Sequence, residues 1–197
     1  MSVICMGAVK AQNTPTPGQI LDKAVEVMSN PKGIESKFTI YNSGYSGGGS
    51  LKILGKKFVV ALPDLEVWYN GKDLYTYNKR TNETTVVNPT DEELAESNPL
   101  SYITGAKGNY NVATSTVKKD GRYVLELTPK KRGTEIKRIT LTLKKNDYSP
   151  EKIVVEPVGG SPITAEISFL KAGGNISASE FEYPKAKYSK VEIIDLR

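Results

Sequence analysis

Apolar and polar residues alternate with a period of two along most of this chain. Phe38 and Ile40 alternate with Lys37, Thr39 and Tyr41. Leu51 and Ile53, then Phe58, Val60 and Leu62, continue the pattern across a Gly55-Lys56 hairpin signal. Pro63-Asp64 turns the chain into Leu65 to Tyr69, and Asn70-Gly71 is a strong hairpin signal because both residues tolerate positive φ. Leu74 to Tyr77 and Thr84 to Val87 complete a first half. In the second half Tyr123, Leu125 and Leu127 alternate with Arg122, Val124 and Glu126. Ile139, Leu141 and Leu143 do the same, as do Ile153 with Val155, and Ile163 through Phe169. Phe181-Glu182-Tyr183-Pro184 closes the meander, and Val191 to Leu196 adds a late apolar segment. The stretch Gly44 to Gly49 reads as a flexible tip.

Two segments break this period. Thr16-Pro17-Gly18-Gln19 carries a cap, a proline for the first helical position and a glutamine that can reach back. Ile20, Leu21, Ala24, Val25 and Met28 then recur at helical spacing until Asn30-Pro31-Lys32-Gly33. Thr90-Asp91-Glu92-Glu93 is a second capping box, broken at Asn98-Pro99 and followed by a short turn from Leu100 to Ile103. With so few apolar residues this segment reads as a mobile cover. The whole predicts a mainly β domain with few helices, an antiparallel sandwich or barrel of about ten strands. Residues 12–197 form one domain, and a length of 197 allows a sizeable core. One good helix and one weak cover over a wide apolar face invite a cavity for a hydrophobe.

Composition narrows the chemistry. The chain has no histidine, and its one cysteine is Cys5, so zinc and copper lack their usual ligands and no metal site is expected. A Ser–His arrangement is impossible for the same reason. Glu66 and Asp73 flank the aromatics, but carboxylates at strand ends are ordinary, so no enzyme activity and no cofactor are expected. Trp68, Tyr69, Tyr75 and Tyr77 fall on two neighbouring strands. They fit cross-strand packing and the wall of a ligand groove equally well.

The net charge of +5 is spread over pairs such as Lys56-Lys57, Lys118-Lys119, Lys130-Lys131 and Lys144-Lys145. Solvated edge protection accounts for them, with a surface for anionic lipid or an acidic partner as the sharper alternative. They form no stripe interleaved with aromatics, so nucleic acid is not an expected partner. Residues 1–11 read as the remnant of a secretory signal peptide, cleaved before Gln12 with Val9 and Ala11 at the small-residue sites. Ile4 before Cys5 argues against a lipoprotein anchor. A mature chain without cysteine suits an oxidising compartment.

Several stretches then carry a family resemblance: Gly49-Ser50-Leu51-Lys52-Ile53, Lys57-Phe58 before the Pro63 turn, and Trp68-Tyr69-Asn70-Gly71-Lys72-Asp73-Leu74-Tyr75-Thr76-Tyr77-Asn78. Leu125-Glu126-Leu127-Thr128-Pro129-Lys130 and Phe181 before Tyr183-Pro184 follow in the same order. Together they resemble the periplasmic outer-membrane lipoprotein carriers (the LolA/LolB-like group), in the divergent branch found in Bacteroidetes. The resemblance implies an incomplete β-barrel with a helical lid. It also implies a soluble periplasmic carrier of lipoprotein acyl chains, acting as a monomer between an inner-membrane lipoprotein-releasing transporter and an outer-membrane acceptor.

On that reading the cavity wall comprises Phe38, Ile40, Leu51, Ile53, Phe58, Val60, Leu62, Val67, Leu74, Leu125, Leu127, Ile139 and Leu141. The lid contributes Leu21, Val25, Leu94, Leu100 and Ile103. The better-studied carriers have an arginine in the strand after the first hairpin, tied to lid closure. Here Leu54-Gly55-Lys56-Lys57 stands in its place, leaving Lys56 and Lys57 as candidate gating residues that lack the planar guanidinium fork. The alternatives on the same fold are a lipid- or lipoprotein-sensing domain and a binder of a different amphiphile.

Overall fold

The computed structural model describes residues 14–98, 100–116 and 119–197. The expectations for the signal-peptide remnant 1–11, Cys5, cleavage before Gln12, the Pro99 break and Lys118 lie outside the described residues.

Helix α1, Pro17–Met28, starts as its sequence dictates. The Thr16 side chain accepts from the Gln19 amide, the Gln19 side chain caps in return, and Pro17 occupies the first turn. Ile20, Leu21, Ala24 and Met28 are its buried stripe. Gly33, with φ of +90°, then redirects the chain. A Cβ there would come within 2.8 Å of the Ile176 side chain, so only glycine fits.

The strands are β1 Ile34–Asn42, β2 Tyr45–Leu54, β3 Lys57–Ala61, β4 Leu65–Tyr69, β5 Leu74–Asn78 and β6 Glu83–Val87. After the cover come β7 Tyr110–Thr114, β8 Arg122–Pro129, β9 Ile136–Lys144, β10 Pro150–Pro157, β11 Ile163–Ala172 and β12 Glu192–Asp195. They form one open twelve-stranded sheet in the order β12-β6-β5-β4-β3-β2-β1-β11-β10-β9-β8-β7. Its two ends do not join, so the fold is an incomplete β-barrel. Every pairing is antiparallel except β12 on β6. The non-local pairing of β1 with β11 joins the two meanders, with a register shift between Lys37 and Phe38. The strands beyond the expected ten are short ones at the two edges, β7 and β12.

The expected flexible tip is instead strand. Only Ser43 and Gly44 separate β1 from β2, and the pair runs in register from Asn42 opposite Tyr45 to Ile34 opposite Ile53. Glycine at position 49 permits a close approach, not disorder. A Cβ there would lie within 2.8 Å of the Phe38 ring and 2.7 Å of the Leu62 side chain. The core therefore reaches into the glycine-rich strand.

The cover comprises α2 Asp91–Ser97, capped by the Thr90–Glu93 box, and the short turns α3 Ser101–Thr104 and α4 Ala106–Asn109. It is better anchored than its few apolar residues suggest. Leu100, Ile103 and Ala106 are buried in the same core as α1, and α3 packs directly on α1. Each of those residues sits between two apolar surfaces, so a small number suffices.

Candidate functional site

Period-two alternation sends one set of side chains from every strand to the inner face. There Phe38, Leu51, Ile53, Phe58, Val60, Val67, Leu74, Leu125, Leu127, Ile139 and Leu141 are all buried in one continuous apolar cluster. Ile40 and Leu62 pack against it half-buried. From the cover, Leu21, Leu100 and Ile103 are buried in that cluster, and Val25 and Leu94 lie against it. The structure therefore brings every expected wall and lid residue together. It adds Ile34, Tyr69, Leu143, Ile153, Val155 and Ala165, also buried there. The last four continue alternations already visible in the sequence. Ile34 is a lone apolar residue after a turn glycine and carried no such signal.

In this structure the wall is occupied by the protein's own side chains. α1 lies against β7 and β8, and α3 packs on α1. One ion pair reinforces the cover from outside, Lys107 Nζ to Asp22 at 2.9 Å. Both partners are more than half exposed, so it adds little to the apolar contacts. Two open depressions lie elsewhere. One of about 340 Å³ is lined by Lys23, Glu26, Val27, Asn30, Tyr148 and Ala172. Another of about 470 Å³ is lined by Lys72, Asp73, Asn88, Asp195 and Arg197. Asp73 is buried there. One of its carboxylate oxygens has no protein partner among the described residues, and the other pairs with Arg197 at 3.2 Å.

The aromatics divide between the two faces. Tyr69 points inward, its ring 5.5 Å from Phe58. Trp68, Tyr75 and Tyr77 point outward into a separate cluster with Tyr183 and Tyr188. Trp68 meets Tyr183 edge-on at 5.4 Å, and Tyr75 stacks on Tyr183 at 4.9 Å. Of the two sequence readings, packing holds for this trio. Their partner is the segment after β11, which crosses the outer face as a strap.

Polar contacts fasten that strap. The Tyr183 and Thr84 hydroxyls share a buried hydrogen bond of 2.9 Å. Tyr188 donates to Glu66 at 2.8 Å, and Lys79 pairs with Glu66 at 3.2 Å. Burial pushes the Glu66 carboxyl up, but the hydrogen bonds from Tyr188 and Lys79 and the charge of Lys187 outweigh it and bring it below the usual carboxylate value. Lys57 reaches this strap, with Nζ 3.8 Å from Glu182, and Lys52 pairs with Glu180. Lys56 is exposed in the β2–β3 turn. The structure thus turns Lys57 away from the lid, because a residue flanking inward Phe58 must point outward, and Lys56 stays in the turn.

Among the described residues no three potential metal-binding side chains come together, and no helix is long and apolar enough to cross a membrane.

Comparison with known proteins adds to this geometry. The family model described as "Outer membrane lipoprotein carrier protein LolA" matches residues 8–157, well over half of the chain. The chain belongs to the LolA family. No curated protein matches it. Among solved structures, an uncharacterized conserved protein from Thermus thermophilus is similar over 90% of this chain and 98% of its own, with a TM-score of 0.61 at 14% identity. A DUF1329 family protein from Desulfovibrio piger is similar over 86% of this chain and 98% of its own, with a TM-score of 0.50 at 16% identity. A LolA superfamily protein from Nitrosomonas europaea covers 86% of this chain and 99% of its own, at a TM-score of 0.46 and 14% identity. At such identities the structural likenesses concern the fold alone. The match to the LolA family stops at residue 157, so β11 and the strap lie beyond it.

Proposed function

We propose that this LolA-family protein is a periplasmic carrier that takes the acyl chains of lipoproteins against its inner face and shuttles them between membranes. One observation carries the reading. A single apolar wall spans the strands from β1 to β5 and from β8 to β11, and one helix with three short helical pieces supplies its cover. A wall this wide under so small a cover can exchange its own lid side chains for acyl chains of similar polarity. The exchange keeps apolar surface out of water, so it costs little hydrophobic free energy.

Cargo on this reading enters by displacing α2, α3 and the apolar stripe of α1. Phe38, Leu51, Phe58 and Leu125 on the wall then meet the acyl chains. The gate is apolar packing, because of the two lysines in the place of the family's arginine, Lys57 faces the other side of the sheet and Lys56 stands exposed in the β2–β3 turn. An inner-membrane lipoprotein-releasing transporter would load the carrier and an outer-membrane acceptor would unload it. No step needs a catalytic group.

The test is displacement of an environment-sensitive apolar dye by a triacylated lipopeptide. Saturable dye binding with competitive release by the lipopeptide is expected. Dye that does not bind, or that the lipopeptide cannot displace, would sink the carrier reading.

A further inference from the structure

The apolar side chains left on the surface are not scattered evenly. Of the seven large ones that are exposed among the described residues, four lie at one end of the sheet: Val158 at 70%, Tyr45 at 46%, and Tyr41 and Ile163 at 41% each. The topology explains why they gather. In the antiparallel run β2-β1-β11-β10-β9-β8, the β1–β2, β10–β11 and β8–β9 turns all fall at the same end. Tyr41 stands opposite Thr164, next to Ile163, and Ile163 stands opposite Val155. The Val158 amide donates to the Glu135 carbonyl at 2.7 Å, which ties the β10–β11 tip to the β8–β9 tip.

That neighbouring tip is basic. Lys130, Lys131 and Arg132 are consecutive and exposed, and none is in an ion pair among the described residues. Glu135 is the only carboxylate between β8 and β9. By contrast, the basic groups at the adjacent tips are neutralised: Arg80 by Asp64, and Lys79 by Glu66.

We propose that this end of the sheet docks on an anionic lipid bilayer, with Val158, Tyr41, Tyr45 and Ile163 in the interfacial layer and Lys130, Lys131 and Arg132 against the headgroups. Tyrosine suits that layer, having an apolar ring and a polar tip. A bilayer also fits the layout better than a protein partner. The apolar groups sit on separate hairpin tips that face one way, with polar backbone turns between them. A protein interface needs a contiguous complementary face, whereas a bilayer needs only tips that point in a common direction. A run of basic residues beside them adds attraction to anionic headgroups. The surface lies outside the acyl-chain wall, so the proposal stands or falls separately from the carrier reading.

Vesicle flotation of the intact protein tests it, without lipoprotein present. Phosphatidylcholine vesicles containing phosphatidylglycerol should carry the protein upward, and pure phosphatidylcholine should not. Added salt should weaken the binding. Combined Lys130→Glu, Lys131→Glu and Arg132→Glu should cut the affinity by roughly a hundredfold or more, from about fivefold of attraction per basic residue. Val158→Asp should also weaken it, while Ile193→Asp, at an exposed site on the β12 edge, should leave it unchanged. These sites are exposed, so circular dichroism should show unaltered folding. Wild-type protein that ignores anionic vesicles would overturn the proposal. So would rim variants that float like wild type, or binding confined to an acidic protein.

Discussion

Ile103 and Ile139 are the same residue type, both 0% exposed, on opposite sides of the inner apolar cluster. Ile103 belongs to the cover, in α3, and Ile139 to the wall, in β9. Truncation to alanine removes three carbons from each, worth about 2.4 kcal/mol at roughly 0.8 kcal/mol per buried methylene. A residual cavity raises the loss, and the expected range is about 2–5 kcal/mol for both. Urea unfolding should therefore find the two variants similarly destabilised.

Their effects on lipid affinity should be opposite. If cargo displaces the cover, the contacts of Ile103 exist only in the closed, empty form. Weakening them lowers the free energy of opening, and a differential of about 2 kcal/mol tightens apparent binding about 30-fold. Ile139 stays on the wall and touches cargo, so Ile139→Ala should weaken binding. Dye displacement by a triacylated lipopeptide measures both. Affinity changes of the same sign in the two variants would refute displacement of the cover, whatever the stability data show.

Two further outcomes concern the outer strap. Tyr183→Phe leaves the fully buried Thr84 hydroxyl without its partner, so a loss of about 1–3 kcal/mol is expected in urea unfolding, with lipopeptide affinity unchanged. An altered affinity would mean that the two faces are coupled. Glu66 has a carboxyl pKa below its ordinary 4.5, so its contribution to stability is complete above about pH 4.5 and fades as pH falls through the lowered value. The gap in melting temperature between wild type and Glu66→Gln should therefore be widest near neutral pH and shrink in acid. A gap that widens in acid would contradict the geometry around Tyr188 and Lys79.

Local signals were enough to read most of the fold. Helix α1 with its Thr16–Gln19 box, the Asn70-Gly71 hairpin and the alternations around Phe38, Phe58, Leu125 and Ile139 depend on residues close in sequence, and each formed where the pattern placed it. The inner apolar face was legible for the same reason: in a strand, alternation alone assigns a side chain to a face.

What depended on distant partners was not legible. Pairing of β1 with β11 joins residues more than a hundred positions apart, and nothing local encodes it. Gly44 to Gly49 read as a flexible tip because glycine has no side chain to reveal what packs on it. At Gly49 the Phe38 ring and Leu62 supply that packing. Trp68, Tyr75 and Tyr77 stood balanced between groove and core until Tyr183 and Tyr188 covered them from the far end of the chain. Lys57 turned to Glu182 on the strap, away from the cover, because the face of its strand had already been set by Phe58. The sequence alone determined which side chains share a face. Only the tertiary structure decided what each face meets, because that choice is made by contacts between segments the chain brings together on folding.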